Sequence, residues 1–215
     1  ASTLLSDRLV EIKHAFDDKT LKSSQLKKFL IEGEENTAII YRNLKRAAEL
    51  ISSFKKVAVD QSSEEERTFN MKHLLEEVLL TLAPQLKKLP FVINIDCPDD
   101  LMITSKPGPF NQIIINLIMN SITHGFDERD HGVITIEVSN EKNMLTMHYQ
   151  DDGKGIEPTI INKIFEPFTT TKRGSGGSGL GLHLVYNLVT QALGGKITFS
   201  SEVKSGVNFT IIIPT

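Results

Sequence analysis

Residues 111–125 read NQIIINLIMNSITHG. The stretch is almost wholly apolar and predicts a buried helix over 108–125, yet Asn116 and Asn120 sit in its middle. Four residues apart, they share one helical face. Left without partners, buried amides cost about 1–3 kcal/mol each. Something polar should lie opposite them.

On both sides the period of the chain switches between helix and strand. Upstream, NMKHLLEEVLLTLAPQLKKL (70–89) predicts an amphipathic helix, and FVINIDC (91–97) and LMITS (101–105) predict short strands. Downstream, GVITIEVS (132–139) and MLTMHYQ (144–150) alternate as a hairpin with NEKN (140–143) at its turn. SGLGLHLVYNLVTQAL (178–193) predicts a helix, and KITFSSE (196–202) with VNFTIIIP (207–214) a closing hairpin. Helices mixed with mostly antiparallel strands give an α+β chain whose larger part is a two-layer α/β sandwich.

Residues 1–60 behave differently, with no proline and one glycine. Leu26, Leu30, Gly33, Thr37, Ile40, Leu44, Ala47, Ile51 and Phe54 recur at alternating steps of four and three, a heptad seam. Leu5, Leu9, Ile12 and Phe16 repeat the rhythm, and DDKTLKSS (17–24) between them predicts a turn. The expected unit is an antiparallel helical hairpin with unequal arms. Beyond Ile40 about 20 Å of seam would lack a partner, at 1.5 Å per residue. A second subunit, an upstream continuation of the first helix, or the rest of the chain would have to cover it. The polar run DQSSEEER (60–67) marks a boundary, dividing 1–62 from 63–215.

The bulk composition narrows the classes. With 215 residues, 40% hydrophobic and 24% charged, the chain should form a packed core. A net charge of −3 carries no nucleic-acid footprint. Cys97 is the only cysteine, so no disulfide can form within the chain, and a reducing compartment fits. No apolar run approaches the roughly 18 residues of a membrane span. The chain itself is therefore expected outside the bilayer, in the cytoplasm, with the membrane attachment of any longer parent left open.

Two glycine boxes carry the chemistry. Asp151-x-Gly153-x-Gly155 follows a strand: a carboxylate, then two positions where backbone can turn sharply and approach a ligand. Such a carboxylate can accept a hydrogen bond from an exocyclic amine, although an Asp-Gly pair also suits an ordinary turn. Gly177, Gly179 and Gly181 alternate at the entrance to a helix, where Gly181 costs about 1 kcal/mol against alanine. Free amides at a helix start bind phosphate. Lys172 and Arg173 stand just upstream in TTTKRGSGG (169–177), which reads as a lid bringing cations to a polyphosphate. No Gly-Lys-[Ser/Thr] follows the glycines, so this is not a Walker A loop.

Asn116-x-x-x-Asn120, Asp151-x-Gly153-x-Gly155, FEPF (165–168) and Gly177-x-Gly179-x-Gly181 occur in this order. Together they resemble the N, G1, F and G2 boxes of the sensor histidine kinases, of the superfamily with gyrase B, Hsp90 and MutL (the Bergerat or GHKL fold). The resemblance covers residues 70–215, and the helical hairpin resembles the dimerisation and phosphotransfer domain of the same kinases. It implies a bacterial, homodimeric kinase that binds ATP and Mg²⁺. Such a kinase transfers the γ-phosphoryl to a histidine and then to an aspartate on a response-regulator receiver domain. Asn120 would ligate Mg²⁺, and Asn116 would help hold the phosphates or metal-bound water. Asp151 would read adenine, and His124 would face the phosphates or merely cap the helix. Gly153, Gly155, Ile156, Gly177, Ser178, Gly179, Leu180, Gly181 and Leu182 would line the nucleotide. Phe165 and Phe168 would anchor the lid or simply fill core, and Lys172 and Arg173 would join Asn116 in catalysis.

Two departures stand out. Val207 and Asn208 occupy the neighbourhood of a Gly-Thr element that helps bind adenine in relatives. His14 is followed by Ala15 and Phe16 rather than an acid, with no proline near, so it reads as a solvated helical histidine, as do His73, His131, His148 and His183. The phosphoacceptor is expected upstream of residue 1. An ATP-hydrolysing relative would use a carboxylate where Asn116 stands, and a silent nucleotide-binding scaffold is the other alternative.

Overall fold

A computed structural model describes all residues except 1, 64, 87–89, 128 and 173–177. The chain divides into two compact units, Ala1–Ser52 and Ser53–Thr215.

The first unit holds α1 (Ser2–Asp17) and α2 (Ser23–Ser63) as far as Ser52, and the two form the expected antiparallel pair, with an Arg8–Glu32 ion pair across it at 3.9 Å. The amides of Thr20 and Leu21 close the turn on the Ala15 carbonyl. The half-buried line on α2 is Phe29, Gly33, Asn36 and Ile40. Gly33 and Ile40 belong to the expected seam, whose Leu26, Leu30 and Leu44 stay exposed within one chain, at 40%, 60% and 64%. The side chains of Ile51 and Phe54 lie outside the described residues. Residues 60–63, read as linker, are the last turn of α2.

In the second unit the order is β1 (Arg67–Asn70), α3 (Met71–Leu86), β2 (Phe91–Asp96), β3 (Met102–Ser105), α4 (Pro107–Asn120), β4 (Gly132–Glu141), β5 (Met144–Asp151), α5 (Gly181–Asn187), β6 (Lys196–Ser201) and β7 (Val207–Pro214). The main sheet runs β2-β4-β5-β7-β6, antiparallel except for the β2–β4 pair. β3 pairs with β1, a strand whose burial does not alternate and so leaves no period in the sequence. The β4–β5 turn narrows to Lys142 and Asn143, both at positive φ, as a two-residue hairpin turn demands.

The helices form the second layer, α4 packed between α3 and α5. Phe110, Ile113, Ile114, Leu117 and Ile118 bury one stripe of α4, and Pro107 starts it where its missing N–H is harmless. Asn70 caps α3, accepting a 2.9 Å hydrogen bond from the His73 amide. α4 ends at Asn120 and passes into a single π turn, Ser121–Gly125, so the predicted helix to 125 changes its winding just past the second asparagine. α5 likewise starts only at Gly181 and ends in a π turn, Leu188–Ala192.

Candidate functional site

Strand alternation sends Leu145, Met147, Tyr149 and Asp151 of β5 inward, so the row that builds the core ends on a carboxylate. Asp151 is only 4% exposed. Its Oδ2 accepts a 2.6 Å hydrogen bond from the Ser121 hydroxyl and its Oδ1 a 3.0 Å bond from the Gly153 amide. Burial pushes its pKa up, against the opposing pull of Ser121 and of the Gly153 and Val207 amides. The Ser121 oxygen is also 2.7 Å from the Tyr149 hydroxyl, whose burial drives its own pKa far above the usual value. Glycines crowd this carboxylate. A Cβ on Gly153 would come within 2.8 Å of Oδ1, and one on Gly206, at φ +82°, within 1.8 Å of the Asp151 carbonyl oxygen.

Across from it, the π turn carries α4 into the site. Asn116 donates its amide 2.7 Å back to the Gln112 carbonyl, the i−4 residue of its own helix. Its oxygen and that of Asn120 are thereby free to face the start of α5, where a Cβ on Gly181 would lie 3.5 and 3.1 Å from them. The Asn120 amide nitrogen is buried and has no hydrogen-bond partner. Among the described residues no side chain hydrogen-bonds the two asparagines: they face backbone opened by glycine, along a cleft of about 810 Å³.

Asn116, Asn120, His124, Asp151, Gly155, Ile156, Ser178, Gly179, Leu180, Gly181 and Leu182 all border this cleft. His124 lies 3.3 Å from the Thr171 hydroxyl, and burial together with Lys172 and Lys154 lowers its pKa, favouring the neutral imidazole. Phe168 holds a positive φ of 66°, and its backbone runs within 2.5 Å of where a Gly179 Cβ would stand, so only glycine admits the contact. Phe165 is core instead, edge-on to Phe199 at 5.6 Å, and its carbonyl lies 2.9 Å from His183 Nδ1. Lys172 does not border the cleft: its ammonium is held 2.6 Å from Asp127, which also lies 3.6 Å from Lys154. Arg173 and Gly177 lie outside the described residues.

Residues 105–215 match the family of histidine kinase-, DNA gyrase B- and HSP90-like ATPases. The chain belongs to this family. Sporulation kinase A of Bacillus subtilis (strain 168) is 29% identical over 88% of this chain and 31% of its own length. Sensor kinase CckA of Brucella abortus (strain 2308) is 31% identical over 81% of this chain and 20% of its own. The chain thus spans less than a third of these curated relatives. The solved catalytic domain of histidine kinase ThkA superposes with a TM-score of 0.59 at 29% identity, over 70% of this chain and 95% of that domain. What is described here is therefore an ATPase domain of the histidine kinase type, preceded by a helical pair.

The sequence reading missed Ser121, Tyr149 and Lys154. Tyr149 could have been found as the inward neighbour of Asp151 on β5. Ser121 could not, because its partner lies 28 residues away and only the closed sheet brings them together.

Proposed function

We propose that this chain is the ATP-binding catalytic region, with part of the dimerisation and phosphotransfer hairpin, of a bacterial sensor histidine kinase. Residues 1–62 would form the hairpin and 63–215 the catalytic domain, and the parent would pass the γ-phosphoryl of ATP to a histidine and then to a response-regulator aspartate. The observation that carries this is the convergence of the Asn116 and Asn120 oxygens on Gly181, in one cleft with a buried acceptor carboxylate.

The donor set suits Mg-ATP. No cluster of His, Cys, Asp and Glu able to hold a metal occurs among the described residues, and two neutral amide oxygens suit a hard cation that brings anionic phosphate ligands with it. Magnesium bound there would neutralise phosphate charge. Asn120 would ligate it, Asn116 would orient the phosphates, and Asp151 would accept from the base amine. Lys154, at the cleft edge, would add positive charge. Catalysis of this kind is chiefly positioning and charge stabilisation.

Leu9, Phe16, Leu30, Tyr41 and Leu44 expose between 57% and 69% of their surface on the hairpin, which supports a homodimer through these helices. His14 is exposed at the turn end of α1, so the acceptor histidine is proposed to lie upstream of residue 1. No helix among the described residues is long and apolar enough to cross a membrane. Calorimetric titration with ATP, with and without magnesium, tests the site. Saturable, magnesium-dependent heat is expected, and none would refute the reading. Labelled-phosphate transfer to a chain extended upstream tests the kinase step.

A further inference from the structure

Two buried hydroxyls stand behind Asp151 with no role in the reading above. Tyr149 is 1% exposed, and among the described residues its hydroxyl has one partner, the Ser121 oxygen at 2.7 Å. Ser121 is 3% exposed and also bonds Asp151 Oδ2 at 2.6 Å. A serine has one proton, and an ionised carboxylate can only accept. The Ser121 proton therefore goes to Oδ2, and the Ser121 oxygen accepts the proton of Tyr149. Oδ1 is already committed to the Gly153 amide. The protons run one way, from tyrosine to serine to aspartate, and every remaining lone pair of Asp151 is an acceptor.

We propose that Tyr149 and Ser121 are positioning residues that fix Asp151 as an acceptor toward the base, so that the cleft takes a purine bearing an exocyclic amine and rejects one bearing a carbonyl there. The inference rests on the nucleotide reading of the cleft. An amine satisfies the carboxylate, whereas a carbonyl oxygen sets acceptor against acceptor at a buried carboxylate, where an unmet bond is costly. Without the Ser121 proton, Oδ2 loses its side-chain donor, and the Asp151 carboxyl keeps only the Gly153 and Val207 amides. The acid then takes up a proton of its own and can donate to a carbonyl. Selectivity is lost before binding is.

Ser121→Ala and Tyr149→Phe each remove a single oxygen, and the second keeps the test open should the first fail to fold. The full chain is titrated calorimetrically with ATP and with inosine triphosphate, in which a carbonyl replaces the amine. The wild type should prefer ATP by roughly a hundredfold or more. Ser121→Ala should cut that ratio about tenfold, the worth of one hydrogen bond to a charged group, and Tyr149→Phe should cut it less, in the same direction. Equal weakening of both nucleotides would mark the hydroxyls as merely structural and overturn the inference, as would an unchanged ratio. A wild type that binds neither nucleotide would overturn the nucleotide reading and this inference with it.

Discussion

A methyl group on Gly181 would stand 3.1 Å from the side-chain oxygen of Asn120, closer than a carbon and an oxygen ordinarily approach. The start of α5 and the asparagine face of α4 are thus fitted to each other through an absent side chain. Gly181→Ala should separate folding from function. Alanine favours the helix by up to about 1 kcal/mol, so the thermal midpoint should hold or rise. The displaced Asn120 should weaken ATP binding by about tenfold, since a misplaced ligand loses one good hydrogen bond or coordination contact. A melting curve and a calorimetric titration on the same sample check both signs.

Asn120→Ala should abolish the magnesium-dependent part of ATP affinity. The buried Asn120 nitrogen has no partner to lose, so stability should change little. Titrations with magnesium and with a chelator isolate this increment, and an undiminished increment would remove Asn120 from the metal site.

These two residues show how far the sequence could be read. Paired amides in an apolar helix and glycines at a helix entrance are locally anomalous, so the boxes were visible without coordinates. The limits of their helices were not. Asn120 and Gly181 bound their helices because π turns and backbone contacts intervene, and neither leaves a period in the sequence. The α2 repeat was legible but not what covers it: Gly33 and Ile40 are half-buried, while Leu26, Leu30 and Leu44 stay exposed within one chain. Lys172 was read as a free cation because nothing in the sequence pairs it with Asp127, 45 residues earlier.

That pairing yields an electrostatic test. Asp127 partly neutralises Lys172 and Lys154, and Lys172 in turn holds its carboxyl below the usual range. Asp127→Asn should release both ammonium groups and tighten ATP binding several-fold at low salt. The gain should fade as ionic strength rises, because exposed pairs are readily screened. Titrations across a salt series would show it.

Asp151 should give pH effects of opposite sign on folding and on binding. Burial raises its native pKa, so its contribution to stability is present at low pH and lost as pH rises through the native value. Protonation weakens the carboxyl as an acceptor and adds a donor, so affinity for adenosine should fall as pH drops through that same value. Adenosine is the suitable probe because it lacks phosphates, which a protonated His124 would attract. The charged neighbour Asp152 pushes the Asp151 value further upward. Competition titrations followed downward from neutral pH check the sign of the effect.

The exposed apolar face of the hairpin should make the chain dimeric. Leu30→Glu together with Leu44→Glu should shift sedimentation toward the monomer and leave the α/β unit folded, because both residues lie on α2 within Ala1–Ser52. A wild type that sediments as a monomer at all concentrations would refute the homodimer.

Gly206 has nothing with which to touch a substrate, yet any side chain there would collide with the carbonyl oxygen of Asp151. A random-mutagenesis screen for lost ATP binding should therefore recover replacements at position 206 alongside those of the aspartate itself. Read from phenotype alone, a residue without chemistry would be scored as part of the catalytic apparatus.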